Sequence, residues 1–106
     1  MKNREKQMKI PSKFKLFGTT INVVWDNKRL NDQSVYGLYE YSTSEITLST
    51  SQGVKELSKD RIIDTFYHER THAILDMMNE RGLSEDEKFV DVFSKLLRQA
   101  IESEEY

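Results

Sequence analysis

Phe66-Tyr67-His68-Glu69-Arg70-Thr71-His72-Ala73-Ile74-Leu75 sets a charged and imidazole-bearing segment inside an apolar run. Around it Ile62, Ile63, Phe66, Tyr67, Ile74, Met77 and Met78 recur at helical spacing, which predicts a long helix. Ser58 is suited to cap its start, and Gly82 supplies a stop signal. Residues four apart share one face of a helix, so the imidazoles of His68 and His72 can reach a single ion. Glu69 sits one step round, where its carboxylate can meet a water beside that ion without ligating it. Two histidines at this spacing can also arise by chance. Against that, the chain has 2 histidines in all and both stand in this H-E-x-x-H segment. The surrounding helix is strongly apolar, so charged groups buried there without partners would be expensive.

Upstream of the helix the pattern has period two. Phe14 and Leu16 alternate before Gly18, and Ile21, Val23 and Trp25 alternate after it, with Gly18-Thr19 as the expected turn. Asp26 to Ser34 is polar and reads as loop. Val35 to Tyr41 and Glu45 to Ser49 form a second expected strand pair around Ser42-Thr43-Ser44. Downstream, a second helix is expected after Ser84, with Phe89, Val90, Phe93, Leu96, Leu97, Ala100 and Ile101 as its apolar face. The fold class is therefore α+β: a small, mostly antiparallel sheet followed by two helices packed on it. One domain over residues 13–101 is expected, with a basic tail at 1–12 and an acidic tail at 102–106.

Composition narrows the chemistry. The 106 residues carry 16 Lys and Arg against 18 Asp and Glu, a net charge of −2, which argues against a nucleic-acid partner. With 0 cysteines, disulfides and thiolate ligands are excluded and any metal must be held by His and carboxylates. No apolar run is long enough for a membrane span, and the charged start does not read as a secretory signal, so a cytoplasmic protein is expected.

Zinc suits two imidazoles, and a catalytic zinc takes a third protein ligand and keeps one position for water. That ligand must be a carboxylate, and Glu80, Glu85, Asp86, Glu87 and Asp91 all follow the motif. Glu87 and Asp91 lie four apart on the second helix, so a ligand at Glu87 and an acid at Asp91 receiving a histidine ring N–H would project together. The competing reading is that Ser84-Glu85-Asp86-Glu87 is a capping box, with Glu87 folded back on the backbone of Ser84. Spacing does not choose between them. Tyr36, Tyr39, Tyr41 and Tyr67 could donate to an oxyanion, but strand tyrosines usually pack, and none is assigned a role.

His68-Glu69-Arg70-Thr71-His72-Ala73-Ile74-Leu75, followed by Asp86-Glu87-Lys88-Phe89-Val90-Asp91 and Phe93-Ser94, resembles small metallopeptidases encoded by phages and prophages. More distantly it is similar to the gluzincins, the zincins that use Glu as third ligand. The resemblance implies a zincin fold, in which the motif helix lies under a sheet whose edge strand receives extended substrate. It also implies one zinc held by His68, His72 and Glu87, with Asp91 supporting a ligating histidine and Glu69 as general base in hydrolysis of a protein or peptide. The alternative is a zinc-stabilised, non-catalytic interaction module or pseudo-peptidase.

Overall fold

The computed structural model describes residues 9–106. Lys13–Leu16 (β1) and Thr19–Trp25 (β2) form an antiparallel hairpin in which Leu16 pairs with Thr19. The two loop residues are therefore Phe17 and Gly18, one earlier than expected. Both have positive φ, 49° and 79°, which is the turn whose twist matches that of the flanking strands.

The polar stretch after β2 is a helix and not a loop. Asn27–Gln33 (α1) is capped by Asp26, whose side chain accepts from the backbone N–H of Arg29. Its Leu30 is fully buried, and Asn27 exchanges hydrogen bonds with the main chain and side chain of Thr50 at 2.9 Å each. One apolar residue is too weak a periodic signal to reveal a two-turn helix.

Gly37–Glu40 (β3) and Glu45–Leu48 (β4) complete a sheet of order β1-β2-β4-β3. The sheet is mixed. Its outer pairings are antiparallel, and its central pairing, β2 with β4, is parallel because α1 and β3 intervene as a crossover. This topology leaves β3 on an edge. A short hairpin, Ser51–Gln52 (β5) with Lys55–Glu56 (β6), was not foreseen.

Lys59–Met77 (α2) starts at Ser58, whose hydroxyl accepts from the N–H of Arg61 at 3.1 Å. It buries Ile62 and Phe66 against Ile21, Val23, Ile46 and Leu48 of the sheet, with Leu57 and Ile10 closing the same cluster. Ile10, assigned above to the tail, is thus 7% exposed; residues 1–8 of that tail lie outside the described residues. The helix ends before Gly82. Asn79 takes the left-handed conformation (φ 59°), and the N–H groups of Asn79 and Glu80 bond back to Asp76 and Leu75 at 3.0 and 2.8 Å.

Arg81–Ser84 (α3) is a single turn, and the last helix is Glu87–Glu102 (α4). Its cap is Asp86, which accepts from Phe89 N–H at 3.0 Å; Ser84 belongs to α3 and is no cap. α4 packs antiparallel along α2 with an unexpected orientation. Val90 and Ser94 are buried, whereas Val92, Phe93, Leu96 and Ile101 are exposed. The apolar face expected to seal the helix pair points largely outward. No helix among the described residues is long and apolar enough to cross a membrane.

Two substitutions test these placements. Leu30→Ala should cost about 2–5 kcal/mol if α1 is core. Leu96→Gln should change stability by less than about 0.5 kcal/mol, as at an exposed position. Urea denaturation of both variants measures the contrast, and a large loss at Leu96 would mean that this face is covered.

Candidate metal centre

The turn through Asn79 and α3 sends α4 back along α2, so the start of α4 faces the middle of α2. Glu87, the first residue of α4, meets both histidines there. One of its oxygens lies 3.3 Å from His68 Nε2 and the other 3.4 Å from His72 Nε2. The imidazole centroids are 5.0 Å apart. Donor atoms of His68, His72 and Glu87 all lie within 4.8 Å of one another, close enough to hold one metal ion. Glu87 therefore does not fold back on Ser84, and the capping-box reading of that residue is set aside.

Glu80, Glu85 and Asp86 are exposed and outside this group, with Asp86 engaged as the cap. Asp91 lies beside it. One oxygen is 4.0 Å from His68 Nδ1, and the other accepts from Lys95 Nζ at 3.0 Å. His72 has a closer partner in Ser84, whose hydroxyl is 2.9 Å from Nδ1 and which is 8% exposed. With Nδ1 engaged, Nε2 is the nitrogen turned to Glu87. The sequence hid this role, because Ser before an acidic run looks like a helix cap.

The register of α4 is held at its far end. Arg98 reaches Asp60 and Asp64 on α2 at 2.7 Å each and Glu102 on its own helix at 3.1 Å. Arg98 continues the stripe of Glu87, Asp91 and Ser94. That stripe faces α2, which is why the apolar side of α4 faces out.

Glu69 occupies a different setting from the three converging side chains. It lies against edge strand β3, where Gly37 lets the helix come close. A Cβ at Gly37 would stand 2.5 Å from Thr65 Cγ2 and 3.3 Å from Glu69 Cγ. Burial and the nearby charge of Glu87 push the Glu69 carboxyl up to about 7, partly offset by a hydrogen bond from the backbone N–H of Tyr39. His72 shifts downward, through burial and the neighbouring His68, with Glu87 and Asp76 opposing. Open space flanks the motif on both sides. A cleft of about 350 Å³ is bordered by Leu38, Tyr39, His72 and Asp76, and one of about 600 Å³ by Tyr36, Arg61 and Lys95; Gly37, His68 and Glu69 border both. Tyr36 carries the Arg61 guanidinium over its ring, 5.2 Å from the centroid. The Tyr39 hydroxyl is buried without a hydrogen-bond partner among the described residues.

Comparison with known proteins yields no match to a family, to a curated protein or to a solved structure.

The Glu69 environment has a measurable consequence in metal-free protein. Its folded value lies above the ordinary 4.5, so its contribution to stability is complete below about pH 4.5 and is lost as pH rises through about 7. His72 acts oppositely: its contribution is present above its ordinary 6.5 and lost as pH falls. The comparison of wild type with Glu69→Gln isolates the first effect. Between pH 5 and pH 8 the variant should gain on the order of 2–3 kcal/mol relative to wild type, measured by denaturant unfolding in chelator. An unchanged difference would place Glu69 in water.

Proposed function

We propose that the chain is a zinc-dependent hydrolase acting on proteins or peptides, with a zincin-like site of the gluzincin kind. The convergence of His68, His72 and Glu87, with Glu69 beside them and outside the donor group, carries this reading. The donor set fits zinc, which takes imidazole nitrogen and carboxylate oxygen and prefers four ligands. Zinc bound there supplies a Lewis acid for a carbonyl and a water acidified towards about pH 7.

The protein's own groups supply the remaining requirements. Glu69 serves as general base and then returns the proton to the leaving amine. A carboxylate set beside the ligand group and outside it can accept a proton from water there and return it. The Tyr39 N–H fixes the carboxylate while its proton state changes. Ser84 holds His72 from behind at Nδ1, which leaves Nε2 as the nitrogen that imidazole presents, and Asp91 places a negative charge 4.0 Å from His68 Nδ1. Edge strand β3 borders the cleft, and an edge strand offers unpaired backbone groups to an extended chain. A structural metal site would have no use for a buried base at Glu69.

The exposed apolar face of α4 favours a second reading, in which the metal braces α2 against α4 so that α4 can present Val92, Phe93 and Leu96 to a partner. The two readings part at Glu69, which only hydrolysis requires.

The protein should bind one zinc per chain. Glu69→Gln should retain the metal and lose on the order of a hundredfold or more in peptide hydrolysis. Glu87→Ala should weaken zinc binding most, with Asp91→Ala and Ser84→Ala each giving losses of about 10–100-fold. Zinc dissociation constants at fixed pH, read with a peptide-library cleavage assay, measure all four. Intact zinc affinity in Glu87→Ala would remove it from the site, and full activity in Glu69→Gln would assign hydrolysis elsewhere.

A further inference from the structure

The motif helix has a second polar feature on its other side. Lys59, Ile63, Phe66, Tyr67 and Arg70 recur at spacings that put them on one face of α2, away from His68 and His72. This face, the segment before β1 and the C-terminal end of α4 enclose a cavity of about 560 Å³. Its volume falls in the range of about 300–1,000 Å³ common for small-molecule sites.

The Arg70 guanidinium carbon lies 4.4 Å from the ring centroid of Phe66, 4.8 Å from that of Phe14 and 5.4 Å from that of Tyr67. Ring faces attract the cation but accept few of its N–H groups, which lie in the guanidinium plane. Among the described residues, Nε of Arg70 is buried with no hydrogen-bond partner. Lys9 and Lys59 stand at the same cavity, and among the described residues none of the three cations has a carboxylate partner. Glu102 is the acid on the cavity wall, and both its oxygens are held by Arg98 at 3.1 Å. The cavity thus combines an apolar lining from Ile10, Ile63 and Ile101 with three cations that lack a carboxylate partner among the described residues.

We propose that this cavity binds a small organic carboxylate with an apolar, ring-sized body, its carboxylate taken by Arg70 and its body set among the isoleucines and Tyr67. A carboxylate matches a guanidinium edge with two parallel hydrogen bonds, which a neutral amide cannot reproduce. The site is separate from the metal centre and does not depend on the function proposed for it.

The test is a nuclear magnetic resonance titration of the full chain with 3-phenylpropionate and, in parallel, its neutral amide 3-phenylpropanamide. The Arg70 Nε–H and the methyl groups of Ile63 and Ile101 should shift, with the acid binding about tenfold more tightly than the amide. Arg70→Met should abolish that preference, and Lys59→Ala should weaken the acid a few-fold while leaving the fold intact. Lys59→Ala keeps the test decisive should Arg70→Met fail to fold. Equal binding of acid and amide, or no shift at millimolar probe, would overturn the proposal. So would shifts confined to His68, His72 and Glu69, which would put the carboxylate at the metal centre, or to Val92, Phe93 and Leu96, which would put the probe on the outer face of α4.

Discussion

The placement of one carboxylate, Glu87, between two imidazoles of another helix constrains the rest of this structure. His68 and His72 come together from local helix geometry alone, but Glu87 arrives only if α4 runs back along α2 in one register. Two devices set that register. At one end, the left-handed Asn79 and the single turn of α3 reverse the chain; at the other, Arg98 ties α4 to Asp60 and Asp64. The polar stripe of α4 must then face inward, and its apolar face is left in solvent. Exposed apolar area of this kind gains nothing from folding. The orientation of α4 therefore follows its polar contacts with α2 more than the burial of its apolar face.

That conflict explains where the sequence misleads. The H-E-x-x-H helix, its Ser58 cap, the β1–β2 hairpin and the α+β class were legible because apolar periodicity, capping and core burial agree there. In α4 they do not agree. The amphipathic pattern is present, but the rule that the apolar face turns inward is overridden by the contacts of Glu87 and Arg98 with α2. The helix stop was misplaced at Gly82 because Asn79 can also adopt positive φ. Ser84 before an acidic run has the pattern of a cap, but Asp86, two residues on, offers the same chemistry and takes that position. α1 was missed because its single buried leucine leaves no period to detect. Gly37 matters only through a close approach that no local pattern encodes.

α2 also presents chemically opposite sides. On one, two imidazoles and a carboxyl held near neutrality face a cleft beside an edge strand. On the other, Arg70 is boxed by three aromatic rings beside further cations. Both sides lie against elements distant in sequence, namely β3, the segment before β1 and the two ends of α4. A substitution on α2 therefore needs to be judged by the side it touches, even between neighbours such as Glu69 and Arg70.

Two imidazoles and one carboxylate holding a single zinc, as proposed, would leave a definite signature in X-ray absorption of the zinc-loaded protein. The expected spectrum has four light ligands with two imidazole signatures, at zinc–nitrogen distances of about 2.0–2.1 Å and zinc–oxygen distances of about 2.0–2.2 Å. Glu87→Ala should keep both imidazole signatures and change only the oxygen shell. A spectrum with one imidazole or none, or an oxygen-only six-ligand shell typical of a loosely bound surface ion, would contradict it.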